Sequence, residues 1–216
     1  MSNKIISKET FFQFYFLYQS FNLMLRIIYL NINRRILDKG NINFSKKKEV
    51  NKDYFRGEVD MIEVLNNNNS VEHEMYHVFF KKGALTTLHF HETEQILITT
   101  SGKGILCLFK ENIIENLESI ETIVLEVGDV VSIPPFIWHF HGSLKDNFAH
   151  IALRNRDIID SSGKKRQAEN VWEKDFVANL SNLNKSEIEQ LSLKIEQKVN
   201  EIVRDEIIKT KTVDPT

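Results

Sequence analysis

Three histidines and a glutamine, His89, His91, Gln95 and His139, sit in two turn-punctuated stretches of strand-like sequence. These residue types, at this spacing, can hold one metal ion. His89-Phe90-His91 puts two imidazoles on one face of a strand, because side chains alternate and Cα atoms two residues apart are about 6.6 Å distant. Imidazoles placed that way reach a common ion at roughly 2.1 Å each. Gln95 follows after a turn at Glu92-Thr93-Glu94, and re-entry of the chain into Ile96 to Ile98 returns its carboxamide oxygen to the same place. The third imidazole, His139, ends a second stretch that opens with a Gly128-Asp129 turn, runs through Val130 to Ile133 and is stopped by Pro134-Pro135.

The elements that must position these ligands are short. Runs at about Glu58 to Leu65, Met75 to Phe80, Thr86 to His91, Gln95 to Thr100 and Ile105 to Phe109 are β-branched or aromatic. So are those at Ile120 to Glu126, Val130 to Ile133, Ile137 to His141 and Phe148 to Arg154. Turn signals such as Lys81-Lys82-Gly83 and Ser101-Gly102-Lys103-Gly104 separate them. Many short strands with turns between them predict a small antiparallel barrel or jelly roll.

The two stretches resemble the motifs of the cupin superfamily. Gly83, His89, His91, Gln95 and Gly102 fall on the spacing of its first motif, and Gly128, Pro134 and His139 on that of its second. Phe136 stands where the second motif has glycine, and Gln95 where the first usually has glutamate. The resemblance covers roughly Asp53 to Asp160. It implies an all-β fold, the cupin double-stranded β-helix or jelly-roll barrel of the RmlC-like type. It also implies one divalent transition-metal ion, manganese, iron, nickel or zinc, held by His89, His91, Gln95 and His139. A neutral amide in place of the carboxylate leaves the full charge of a divalent cation on the site, which favours Lewis-acid use or an anionic ligand. Some cupins with glutamine here act on sugar acids and lactone-type compounds, so the substitution does not by itself remove metal binding, but it lowers the expected affinity for hard cations.

His141 lies two residues beyond His139 and points into the same cavity if the strand continues, as a proton shuttle or as an orienter of a ligand. His150 is a second candidate for catalysis, on a strand whose facing alternation does not settle, since both parities are apolar. Tyr76, Phe80, Phe109 and Trp138 read as barrel filling or pocket wall. His73 and His77 read as structural.

At 216 residues, 42% hydrophobic, 27% charged and with a formal net charge of -2, the chain is an ordinary globular composition without a nucleic-acid footprint. Cys107 is the single cysteine, which excludes a disulfide within the chain and points to a reducing, cytoplasmic setting. Residues 1–51 are an N-terminal extension, residues 52–160 the barrel and residues 161–216 a C-terminal loop and amphipathic helix. Thr10 to Leu30 is rich in Phe, Tyr, Leu and Ile but carries Gln13, Gln19, Asn22 and Arg26, too polar for a membrane span and without a cleavage signal. A helix covering the barrel, an interfacial helix or a disordered extension fits it. Lys46-Lys47-Lys48 reads as a solvated basic linker and Ser161 to Arg166 as a loop. Ser186 with Glu189 marks a capping box, and Ile188, Leu191, Ile195, Val199 and Ile202 form one apolar stripe. That stripe suits packing on the barrel or pairing with a second copy as a homodimer.

Three functions follow from this reading. The first is a metal-dependent enzyme acting on a small sugar-acid, lactone or carboxylate-type substrate by Lewis-acid or proton-transfer chemistry. The second is a non-catalytic metabolite-binding or sensor cupin, and the third an Fe(II)-dependent dioxygenase.

Overall fold

The computed structural model describes residues 39–212, together with Ser20, Phe21 and Met24, which have helical backbone. By its internal contacts the chain divides into residues 1–38 and 39–216, and the second unit contains every element discussed below. The reading of Thr10 to Leu30 falls almost wholly outside the described residues.

Fifteen short strands and two helices are described. They begin with β1 (Lys46–Lys48), β2 (Phe55–Arg56), β3 (Val59–Leu65), β4 (His73–Phe80), β5 (Leu85–Thr86), β6 (His89–His91) and β7 (Gln95–Ser101). Next come β8 (Gly104–Phe109), β9 (Ile120–Leu125), β10 (Val130–Ile133), β11 (Trp138–Ser143) and β12 (Phe148–Asn155). The chain closes with β13 (Asp157–Ile159), β14 (Lys165–Gln167), β15 (Asn170–Trp172), α1 (Glu173–Ala178) and α2 (Lys185–Thr212).

The large strands form two antiparallel sheets. One runs β1-β3-β4-β12-β7-β10 and the other β15-β6-β11-β5-β2, with β8 also paired to β11 and β9 to β8. Alternation then sorts the side chains. Val78 and Phe80 of β4, Leu97 of β7, Leu106 of β8, Ile133 of β10 and Phe148 and Ala152 of β12 pack between the sheets. The opposite parity of the second sheet, Ile105, Cys107, Phe109, Trp138 and Phe140, faces a helical layer instead. Both faces of β11 are therefore covered, and all six of its residues are buried.

The helical layer is built from the predicted stripe. Ile195, Val199 and Ile202 of α2 are buried in the same cluster as Trp138 and Phe140, with Ile188 and Leu191 packed at its edge. The helix thus packs on its own barrel. Its cap lies two residues before the predicted one: Asn184 Oδ1 accepts from the Ser186 and Glu187 amides, and Glu187 Oε2 accepts from the Asn184 amide at 2.8 Å. Asn184 with Glu187 is the capping box, because the backbone turns helical at Lys185.

Two stretches read as linker or loop are strands. Lys46–Lys48 pairs with Met61–Glu63 at the sheet edge, exposed as the sequence suggests. Lys165 and Arg166 belong to β14, which pairs back on β13 across a turn organised by the Asp160 carboxylate. No helix of the described residues is long and apolar enough to cross a membrane.

Candidate metal centre

The histidines are brought together by strand pairing. His89 of β6 lies directly opposite His139 of β11, and alternation turns His89, His91, His139 and His141 into the barrel while Phe90, Trp138 and Phe140 face the helices. All four are buried, none more than 6% exposed. Ring centroids are 4.3 Å apart for His89 and His139, 4.8 Å for His89 and His91, and 5.3 Å for His91 and His139.

The hydrogen bonds at the back of each ring fix where its lone pair points. His89 Nδ1 is 2.8 Å from the Thr87 carbonyl and His139 Nδ1 is 2.8 Å from the Ile137 carbonyl. A carbonyl can only accept, so both Nδ1 atoms carry the proton and both Nε2 atoms are left as lone-pair donors. His91 Nδ1 donates at 2.6 Å to Asn170 Oδ1, which also accepts from Arg154 Nη1. Three neutral imidazoles therefore present bare Nε2 atoms to one side.

Gln95, the first residue of β7, is adjacent to His91. Its Oε1, His91 Nε2 and His139 Nε2 are buried without a hydrogen-bond partner. Buried acceptors left unpaired are costly, and a cation is a partner that suits them, although the nitrogens that lie within 4.8 Å of one another are those of His89, His139 and His141, a group that does not include His91. The residues present thus fit a divalent metal.

His141 joins this group more closely than the sequence indicated. The nitrogens that His89, His139 and His141 offer lie within 4.8 Å of one another. Behind His141, its Nδ1 is 3.1 Å from His150 Nε2. The facing of His150, open in the sequence, is resolved by β12: Phe148, His150, Ala152 and Arg154 all point between the sheets, with a bulge against β7 between Ala149 and His150. Phe80 packs against both rings of this pair.

Burial is the main cause of the electrostatics here. It holds His89, His91 and His141 well below the ordinary imidazole range, helped by the neighbouring imidazoles. Burial brings His139 down to about 4 and His150 to about 3. Neutral imidazoles are the form that ligates a metal.

The imidazoles open onto a cavity of about 360 Å³ whose wall carries charge. Arg154, opposite Gln95 across the β12–β7 pair, donates from Nε to Glu74 Oε1. Glu74 Oε2 accepts from Tyr76 Oη at 3.3 Å, and Tyr76 Oη accepts from Lys48 Nζ at 2.9 Å. A chain of hydrogen bonds runs from the surface at Lys48 to His91. On another wall Trp172 is sandwiched between Tyr54, at 4.3 Å, and His89, at 4.4 Å.

Asn170, Trp172, Arg154 and Lys48 were not among the residues singled out. Both Asn170 and Trp172 come from β15, which pairs with β6 so that Asn170 faces His91 and Trp172 faces His89. Nothing local in Asn170-Val171-Trp172 announces that pairing, since it is set by the long return of the chain after β12. Arg154 did carry a signal, a charge closing the apolar run Phe148 to Leu153. Tyr76 lines the cavity as expected, whereas Phe80, Phe109 and Trp138 fill the cores. His77 is structural: its Nδ1 donates to the Ile42 carbonyl and its Nε2 accepts from Thr100 Oγ1.

A family model described as "Cupin" matches residues 43–174. No curated protein matches the chain. Among solved structures, a cupin-like protein from Thermotoga maritima is 26% identical over 69% of this chain and 99% of its own, with a TM-score of 0.43. KdgF from a Halomonas species is 19% identical over 55% of this chain and 94% of its own, with a TM-score of 0.42. The polyketide cyclase RemF from Streptomyces resistomycificus is 14% identical over 63% of this chain and 87% of its own, with a TM-score of 0.48.

Proposed function

Because the chain belongs to the cupin family, we propose that it is a metal-dependent enzyme acting on a small organic substrate of the sugar-acid, lactone or carboxylate type. One divalent transition-metal ion is held by His89, His91, His139 and the Gln95 amide. The observation that carries this reading is the set of bare acceptors, Nε2 of His91 and His139 and Oε1 of Gln95, buried together without hydrogen-bond partners. A bound cation supplies Lewis acidity there, polarising a carbonyl, carboxylate or hydroxyl oxygen.

The protein's own groups do the rest. Carbonyls at Thr87 and Ile137 and the Asn170 amide hold three imidazoles in the ligating tautomer. The Tyr54–Trp172–His89 stack fixes the His89 ring and walls off water on that side. His141, backed by His150 at 3.1 Å, takes a proton from the substrate and returns it.

The close grouping of His141 with His89 and His139 supports a second reading. As a metal ligand itself, His141 is no longer free to act as the base, and the protein is then a metabolite-binding cupin without turnover. Incubating the metal-loaded protein in heavy water with a panel of small hydroxy- and oxo-carboxylates, and following exchange of their α-hydrogens by NMR, separates the two. Exchange that disappears in His141→Ala while metal content stays is the enzyme's signature. Loss of metal in that variant, or no exchange with any acid, contradicts it.

A further inference from the structure

The imidazoles occupy one end of the cavity, and a second set of polar groups lines the wall made by β1, β4 and β12. Arg154 is the centre of that wall, buried to 8% exposure. A buried guanidinium needs partners for five donors. Nε serves Glu74, and Nη1 serves Asn170 and lies 3.0 Å from His91 Nδ1, whereas among the described residues Nη2 has no protein partner and is left accessible to the cavity. Glu74 takes Nε alone rather than the two-pronged fork that arginine ordinarily offers a carboxylate, because its other oxygen is turned to Tyr76. One edge of the guanidinium therefore remains for something in the cavity.

Lys48 supplies a second cation on the same wall, its ammonium 4.4 Å above the Tyr76 ring and half exposed at the cavity rim. Glu74 and Glu63 offset the charge of Arg154 and Lys48, and Glu49 adds an exposed carboxylate at the rim, so the wall does not repel the metal. The excess positive charge of the loaded cavity is then that of the ion itself, whose four protein ligands are neutral. An anionic ligand matches that excess. At about 360 Å³ the cavity is at the small end of ligand pockets, roughly 300–1,000 Å³ in general.

We propose that Arg154 and Lys48 form an anion subsite, and that the ligand is a small carboxylic acid. Its carboxylate sits on Arg154 Nη2 with Lys48 alongside, and an adjacent hydroxyl or carbonyl oxygen turns toward the imidazoles. This deepens the metal-dependent reading and rests on it for the second contact only. It also makes the β1 strand, through Lys48, part of the ligand's surroundings.

The test is calorimetric titration of the protein, with and without Mn(II), with glycolate, malonate and D-gluconate beside their neutral counterparts ethylene glycol, malonamide and sorbitol. The expected result is binding of at least one acid and not of its neutral counterpart. Arg154→Lys, which keeps a charge for Glu74 but removes Nη2, weakens that binding about tenfold. Lys48→Met weakens it about threefold, as suits a half-exposed cation, and carries the test should Arg154→Lys fail to fold. Metal content is unchanged in Lys48→Met, whose side chain bonds Tyr76 and Glu63 and none of the imidazoles. Equal binding of acid and neutral counterpart, equal binding by parent and variants, or no acid binding in either metal state overturns the subsite. Arg154-dependent acid binding by a protein that takes up none of Mn(II), Fe(II), Ni(II) and Zn(II) upholds the subsite and defeats the metal reading alone.

Discussion

Asn170 accepts the Nδ1 proton of His91 at 2.6 Å from the facing position on β15. A single amide oxygen thereby sets the tautomer of His91, one of the proposed ligands, and, through its second bond, the place of Arg154. Carboxylate or amide partners behind ligating histidines typically contribute 10–100-fold to metal affinity.

Asn170→Ala is accordingly expected to weaken metal binding about tenfold or more, and Asn170→Asp to keep it, since a carboxylate accepts the same proton. Competition against a chromogenic chelator reads both affinities. An alanine variant with parental affinity shows that His91 is not a ligand held by this bond.

The buried imidazoles make the metal-free protein acid-sensitive. His139 and His150 have folded values of about 4 and about 3, below the 6.5 of the exposed group, so between those limits the unfolded chain binds protons that the folded chain does not. Their contribution is fully present above pH 6.5 and is lost as pH falls, at up to about 1.4 kcal/mol per pH unit for each group. Thermal melts of metal-free protein at pH 7, 6 and 5 should show Tm falling, less steeply for His150→Leu. Parallel slopes in parent and variant contradict this assignment.

Phe136 stands where the family motif has glycine, and its backbone has φ of 64° while its amide donates to the His91 carbonyl at 2.8 Å. A side chain in that left-handed region costs about 1 kcal/mol. Phe136→Gly should therefore be more stable than Phe136→Ala by about that amount in urea unfolding. Alanine equal to or better than glycine would show that no strain resides there.

The barrel was legible because its strands carry their own signals: β-branched runs, alternation and glycine turns placed nearly every large strand. His89, His91, His139 and Gln95 were legible because they lie on two local motifs. Asn170 and Trp172 were not, and Arg154 only as a charge closing an apolar run, because each reaches the site through pairing across long stretches of chain: β12 with β7, and β15 with β6. His150 became readable only once the parity of β12 was fixed by Phe148 and Ala152 in the core. The cap lies at Asn184 because the backbone is already helical from Lys185, so Ser186 sits inside the first turn and its own amide is one of the two that Asn184 caps.

If the imidazoles hold a metal ion, elemental analysis of the purified protein beside a His89→Ala, His139→Ala double variant will read it out. Near-stoichiometric transition metal in the parent and its loss in the variant are predicted. No metal in the parent after reconstitution, or the same content in both proteins, would show that these imidazoles hold no ion.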